Sequence, residues 1–350
     1  NYYLKPENVE TWEAGLEAKF LKNRIGVDIA LYQSDVTDQI YDVPYDYITG
    51  AKYYTTNVGL IRNKGIEIAL NFTPIKTKDW KWTIGINASR NIGILKRMYD
   101  GWNNANPFQE DYGTTIGSRL FVYDYVGKKM GELWGLGLQQ APEGSFYLDE
   151  NGNQVDCSGM DIINAKTGLP AFDDSSNLKY YGNVNPDWLG GLTTSLKWRD
   201  ITLNATFTGQ IGGKTASVTA GILGYQGKLK NTLEGRNDGL VAPGVNAIKA
   251  ADGSITYQKN NTITTDIVSY YSTYKANRYN FEEYIYDNSF FKLKELTVSY
   301  NFPKKLMEKT KVIQGITVSA YATNLFCITN YPFYDPEVTG YVGSNTKRGI

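Results

Sequence analysis

Residues 11–20 read T-W-E-A-G-L-E-A-K-F, with Trp12, Ala14, Leu16, Ala18 and Phe20 at every second position. Glu13, Gly15, Glu17 and Lys19 lie between them. After a short break the alternation resumes, with Ile25, Val27, Ile29 and Leu31 against Gly26, Asp28, Ala30 and Tyr32. Successive side chains of a strand point to opposite faces, so each segment has one apolar and one polar face. The same arrangement recurs down the chain and predicts eight strands in four pairs. They are 10–20 with 24–34, 59–72 with 80–91, 186–198 with 201–212, and 289–302 with 315–325. The second pair shows Ile66, Ile68, Leu70 and Phe72, then Trp80, Trp82, Ile84 and Ile86. The third shows Leu192, Leu196 and Trp198, then Ile201, Leu203, Ala205 and Phe207. Such strands exceed the soluble mode of about five or six residues and suit a tilted bilayer crossing.

The connections fall into two kinds. Inside the pairs they are short and polar: 21–23, 73–79, 199–200, and a Lys-rich link starting at Pro303. Between the pairs, 35–58 is of medium length, while 92–185 and 213–288 far exceed the ~4–6 residues usual in compact domains. Both long stretches are rich in Gly, Asn, Asp and Tyr and hold hairpin signals such as Asn151-Gly152 and Asp252-Gly253. Their tyrosine density predicts folded excursions. Short turns at one end and long loops at the other predict an all-β, transmembrane antiparallel β-barrel with long extracellular loops. Trp80, Trp82 and Trp198 stand beside the short turns, where an aromatic belt meets the interface. Lys22, Arg24, Lys76, Lys78, Lys81, Arg199, Lys304 and Lys305 cluster there as solvated turn charges. The face bearing Ile25, Val27, Ile29, Leu31, Ile66, Ile68, Leu70, Leu203 and Ala205 is expected to meet outer-membrane lipid.

The 36 basic and 36 acidic residues cancel, so bulk charge gives no argument for nucleic acid. Histidine is absent, which removes the commonest general base and every His-based metal site. Cys157, in a polar loop, and Cys327, just past a strand end, are expected to be unpaired and inert. No apolar run reaches the ~18 residues of a transmembrane helix, which says nothing against a barrel. The termini resemble neither a signal peptide nor a designed end. The expectation is that residues 1–350 form part of one barrel domain, with plug and barrel ends elsewhere.

Four blocks resemble a family: L-K-P-E-N-V-E-T-W-E-A-G-L-E at 4–17, N-V-G-L-I-R-N-K-G-I-E-I at 57–68, D-N-S-F-F-K-L-K-E-L-T-V-S-Y-N-F-P at 287–303, and V-S-A-Y-A-T-N-L-F at 318–326 followed by Y-D-P-E at 334–337. In this order they are similar to the barrel of SusC/RagA-type TonB-linked outer-membrane proteins. The resemblance implies a Bacteroidota-type nutrient importer in the cell outer membrane. It implies a large barrel of ~22 strands closed by an N-terminal plug. It also implies a SusD-like surface lipoprotein as cap, and energy from the TonB complex through an N-terminal region not in this chain. The substrate would be a glycan or a peptide. Two other classes stay open: a soluble β-rich glycan-binding protein or glycosidase, which would have comparable loops at both ends, and a passive porin.

No catalytic residue is expected. Glu13, Glu17, Asp28, Glu67 and Glu295 lie on polar faces, as a barrel wall requires, and no marked pair flanks a bond as glycosidases need. Candidates for ligand contact are the loop aromatics Trp102, Tyr123, Trp134, Tyr181 and Tyr225. They belong to a wider set with Tyr112, Phe121, Tyr125, Tyr180, Tyr270 and Tyr271. Their plainer reading is packing of the loops against each other and against the cap. Asp149, Asn151, Asn153 and Asp156 form a loose candidate calcium loop. Its glycine is misplaced and it lacks the twelfth-position Glu, so a β-turn is the competing reading. No other cofactor is expected.

Overall fold

The computed structural model describes residues 4–44, 50, 53–99, 101–109, 120–172, 178–275, 282–303, 313–332 and 335–338. Among these residues, eight strands form one antiparallel sheet in strict chain order. They are β1 (Asn8–Phe20), β2 (Ile25–Pro44), β3 (Tyr53–Lys76), β4 (Trp80–Arg97), β5 (Trp188–Trp198), β6 (Ile201–Ile211), β7 (Phe290–Asn301) and β8 (Thr317–Thr329).

Directly opposed residues of an antiparallel pair share a face. The register therefore extends the apolar stripe across the whole sheet. Leu16 opposes Ile29, Ile29 opposes Ile68, and Ile68 opposes Ala88. Further round, Trp82 opposes Leu196, Leu196 opposes Leu203, Leu203 opposes Val298, and Val298 opposes Ala320. On the other face Asn71 opposes Gly85, which opposes Thr193, then Thr206, Glu295 and Thr323. One surface is thus hydrocarbon and the other hydroxyl, amide and charge.

The apolar band has aromatic borders. At the short-turn end Trp80 stacks on Trp198 with centroids 5.7 Å apart, and Phe20 and Phe72 complete the rim. At the other end Trp12 and Trp188 stand at the band's limit, and the Arg90 guanidinium lies 5.9 Å from the Trp188 ring centre. Beyond it the same face turns polar: Gln33 opposes Lys64, and Arg62 grips Asp35 at 2.6 Å. From Phe20 to Trp12 the strand advances about 27 Å at ~3.4 Å per residue. Tilted by ~40°, this gives a band about 21 Å high, near the ~25 Å of an outer-membrane barrel.

Several boundaries differ from the sequence expectation. The stretch 35–58 is mostly ladder, because β2 and β3 run on together to Pro44 and Tyr53. The ladder is interrupted at the facing positions Asp38 (φ 55°) and Gly59 (φ 52°), which are left unpaired, and pairing resumes beyond them in the same register. A β-carbon on Gly59 would lie 1.8 Å from the Arg97 carbonyl oxygen, so only glycine fits. Above this break the hairpin stands clear of the apolar band, so it lacks the apolar alternation that marks a strand. β4 continues to Arg97, past the expected end at 91. β8 continues to Thr329 through an irregularity at Asn324 (φ 54°), so Cys327 lies within the strand rather than after it. The link after Pro303, with Lys304 and Lys305, falls outside the described residues up to position 312.

The two long connections fold, and they fold together. Leu120, Val122 and Leu133 of the first pack against Ala216, Ala220 and Tyr284 of the second. Ala141 and Cys157 share a core with Val245, and Ile163 shares one with Ala242 and Tyr270. The hairpin Phe146–Leu148/Gln154–Asp156 joins Val245–Lys249/Ile255–Lys259 in one four-stranded sheet. The body meets the wall on its polar-side register. Ile61 and Leu95, opposed on that side, pack with Val58, Phe108 and Met130. Helix α1 (Val218–Tyr225) is capped by Ser217, whose hydroxyl accepts from the Ala220 amide and meets the Tyr331 hydroxyl at 3.0 Å just past β8.

Candidate functional site

The first excursion contains a small sheet of Phe108–Gln109, Leu120–Asp124, Glu132–Gly135 and Lys179–Asn183. Period-2 alternation decides its chemistry. Leu120 and Val122 point into the shared core, so Phe121 and Tyr123 point the other way. Phe121 stacks on Tyr123 (5.3 Å, 2° between planes), and Tyr123 meets Tyr125 edge to face at 6.4 Å. Tyr125 contacts Trp134 at 5.5 Å, and Trp134 contacts Tyr180 at 5.3 Å. The register explains the row, because Phe121 and Tyr180 each oppose Trp134 on either side.

Polar groups sit within this aromatic row. The Lys128 ammonium lies 4.7 Å from the Tyr125 ring centre and 5.7 Å from that of Trp134. The Trp134 indole N–H donates to Glu132 Oε2 at 3.0 Å, and Lys128 stands 3.9 Å from the same oxygen. Burial raises the phenol pKa of Tyr123, Tyr125 and Tyr180, and the Glu132 carboxylate adds to this at Tyr125 and Tyr180. The three hydroxyls therefore stay protonated donors at neutral pH.

Of the five sequence candidates, only Tyr123 and Trp134 come together. Trp102 belongs to a core against Tyr99 (5.5 Å) and Phe108 (6.5 Å) at the wall. Tyr181 packs against the core shared by the two excursions. Tyr225 lies on α1, 55% exposed, beside a groove lined by Thr232, Arg236, Val268 and Tyr271. Tyr112 falls outside the described residues. Lys128 went unrecognised in the sequence. Its position three residues past the alternating Phe121, Tyr123 and Tyr125 gives no periodic signal.

The acidic loop folds as a turn. Asp149 accepts from the amides of Asn151 (2.9 Å) and Asn153 (2.8 Å) and from the Asn153 side chain. Asp156 accepts from the Ser158 amide at 2.8 Å. Both carboxyls are held below the ordinary carboxylate range by these bonds, led at Asp149 by the Asn153 amide and at Asp156 by the Ser158 side chain. Among the described residues no three His, Cys, Asp or Glu side chains gather as a metal cluster. The Cys157 thiol is fully buried rather than set in an open loop, and burial pushes its pKa up. It is not in a disulfide. On the wall, Glu17 opposes Asp28 across β1 and β2, with Lys19 2.5 Å from Glu17.

Comparison with known proteins places this geometry. Residues 1–325 match the family model described as TonB dependent receptor-like, beta-barrel. TonB-dependent receptor P3 of Formosa agariphila is 25% identical over 367 residues, covering 99% of this chain and 32% of that protein. TonB-dependent receptor SusC of Bacteroides thetaiotaomicron is 25% identical over 364 residues, covering 99% of the chain and 31% of SusC. The fold superposes on the RagAB peptide importer in its closed-closed state with a TM-score of 0.67 at 19% identity. That match covers 95% of this chain and 33% of the other. The chain thus spans about a third of the length of the relatives it matches. An apolar band bordered by aromatics, a polar opposite face and loops folded at one end are what a barrel wall needs, and the chain belongs to the TonB-dependent receptor β-barrel family of the outer membrane, in its SusC/RagA group.

Proposed function

We propose that this chain is wall and surface-loop structure of a transporter that imports a glycan or peptide nutrient across the outer membrane, driven through TonB and assisted by a SusD-like surface lipoprotein. The observation that carries the reading is the asymmetry of the sheet. Turns such as Arg199-Asp200 close one end, while the described residues of the two long connections build a folded body at the other. That body contacts the polar side of the wall, the side that faces a barrel's interior. Among the described residues β1 and β8 each have an unpaired edge, and lipid tolerates no open sheet edge, so further strands would complete the closure. A ~22-stranded barrel leaves a lumen that needs a plug, which suits gated import better than free diffusion.

In this reading the short turns are periplasmic and the folded body is extracellular. A hydrolase role has no support from the polar side chains described above, and the relatives are named as receptors. The test is uptake of labelled oligosaccharide and peptide pools by cells expressing the full-length protein, with and without functional TonB, together with co-purification of the surface lipoprotein. Uptake that ignores TonB inactivation would refute the transport mechanism in favour of a passive pore.

A further inference from the structure

The aromatic row of the first excursion stands on a sheet face that the core does not need. Leu120, Val122 and Leu133 already bury the opposite face. Tyr180 is 53% exposed, and Phe121, Tyr123, Tyr125 and Trp134 are each part-exposed. The rings lock one another in place, so little side-chain freedom remains to be lost when a ligand binds. Among the described residues, the hydroxyls of Tyr123, Tyr125 and Tyr180 make no hydrogen bond to protein.

We propose that Phe121, Tyr123, Tyr125, Trp134 and Tyr180, with Lys128 and Glu132, form a contact site for a neutral oligosaccharide. The proposal rests on the import reading above and names the substrate class within it. A sugar ring offers a C–H face that packs on aromatic carbon and a rim of hydroxyls that both donate and accept. The row offers the complement: ring carbon along its length and phenol hydroxyls with free bonding capacity. Glu132 Oε2 accepts, and the Lys128 ammonium donates. The charges are one ammonium and one carboxylate 3.9 Å apart, so the site has no net charge with which to hold a polyanion. A peptide strand would look for a sheet edge or a charged terminus pocket. The row lies on a sheet face and is continuous across three strands, Leu120–Asp124, Glu132–Gly135 and Lys179–Asn183. Successive rings 5.3–6.4 Å apart present a repeating surface to a repeating ligand.

The test uses the full-length transporter purified from outer membranes. Neutral gluco-, manno- and xylo-hexasaccharides, a polyuronate hexasaccharide and a mixed peptide pool are titrated separately, read by calorimetry and tryptophan fluorescence. Tyr180→Ala and Trp134→Ala are compared with wild type, with heat-modifiable gel mobility confirming a folded barrel. Tyr180→Ala removes an exposed ring at the end of the row and guards against misfolding at Trp134. The expected result is binding of a neutral hexasaccharide that weakens at least ~10-fold in each variant, a loss of about 1.4 kcal/mol. Binding of peptides alone, of the polyuronate alone, of no probe, or hexasaccharide binding unchanged in Tyr180→Ala would each overturn the site. TonB-dependent uptake of peptides with no hexasaccharide binding would sink this proposal while leaving the import reading intact. TonB-independent uptake would sink the latter.

Discussion

Ile68 stands four residues from Phe72 at the inner rim and four from Lys64 at the outer limit of the apolar band. At ~3.4 Å per residue and ~40° tilt, each rim is about 10 Å away, so Ile68 sits at the bilayer midplane. Its cross-strand partners Ile29 and Ala88 bring no charge. Replacing Ile68 by Ala removes apolar area only, and the further change to Arg adds a charge where no water reaches. The Ile68→Arg variant should then be less stable than Ile68→Ala by about 2–4 kcal/mol. The same comparison at Phe72, beside the interface, should give only ~0–1 kcal/mol. Glu67→Arg, one residue along and on the polar face, should stay near wild type. The assay is reversible urea unfolding of the full-length barrel in thin-lipid vesicles, followed by tryptophan fluorescence. The assignment of faces is wrong if Arg is tolerated at position 68 and penalised at 67. The depth assignment is wrong if positions 68 and 72 respond alike.

Three further outcomes follow from local geometry. Gly59→Ala should destabilise the outer hairpin by more than the ~1–2 kcal/mol of a left-handed non-glycine residue, since the added carbon also meets the Arg97 carbonyl; proteolysis of the β2–β3 tip reads it, and wild-type resistance would refute it. Lys292, 3% exposed at its side chain, holds Asp335 and Glu337; Lys292→Met should cost less than the ~3–5 kcal/mol of a wholly buried pair, because both carboxylates keep about a quarter or more of their exposure. Limited proteolysis after Thr329 should rise in that variant, and unchanged cleavage counts against the contact. The depressed Asp149 carboxyl steadies its turn above the unfolded-state pKa, and that contribution disappears as pH falls through the lower folded value. Amide exchange at Asn153, corrected for intrinsic rate, should quicken in acid for wild type and show no such step in Asp149→Asn.

What the sequence revealed tracks what the solvent required. Where a strand crosses hydrocarbon, one face must be apolar, and Ile25–Leu31 or Ile66–Phe72 announce themselves by alternation. Above the membrane that demand vanishes. Thr37 to Asp42 and Thr55 to Leu60 belong to the same ladder, interrupted only at Asp38 and Gly59, yet show no apolar period because no hydrocarbon meets them; Val58 is buried against the folded loops instead. The site divides in the same way. Phe121, Tyr123 and Tyr125 show the two-residue period, so their common face could be read. That Trp134 and Tyr180 join them depends on which short strands pair, and no local pattern encodes that. Trp102, in a loop, and Tyr181, on a strand, are aromatic like the row members but pack into cores instead.

The sequence blocks that mark the family fall at the seams of the fold. Asn57 opens one block, and its side chain accepts from the Lys5 amide (2.7 Å) while donating to the Lys5 carbonyl (2.8 Å) in another. Its side-chain amide also donates to the Asp38 carbonyl, where the ladder is interrupted. One side chain thereby ties the segment entering β1 to the point where the β2–β3 ladder is interrupted. In the same block Gly65 lies beneath the Tyr32 ring, which comes within 2.3–2.5 Å of where a β-carbon would stand. At the far side of the sheet, Lys292 of the third block holds Asp335 and Glu337 of the last. The Asn57 and Gly65 contacts join segments whose pairing the hydrophobic pattern leaves free to slide, because a two-residue shift returns every side chain to its own face, while Lys292 ties β7 to the segment that follows β8. Alternation chooses the face, and these few polar and glycine contacts choose the register. Exchanging Asn57 for Leu should therefore leave the lipid-facing assignment unchanged while loosening the β2–β3 pairing around Asp38 and Gly59. Paired-cysteine crosslinking between positions 37 and 60 reports on this, and undiminished crosslinking in the variant would show that the turns alone set the register.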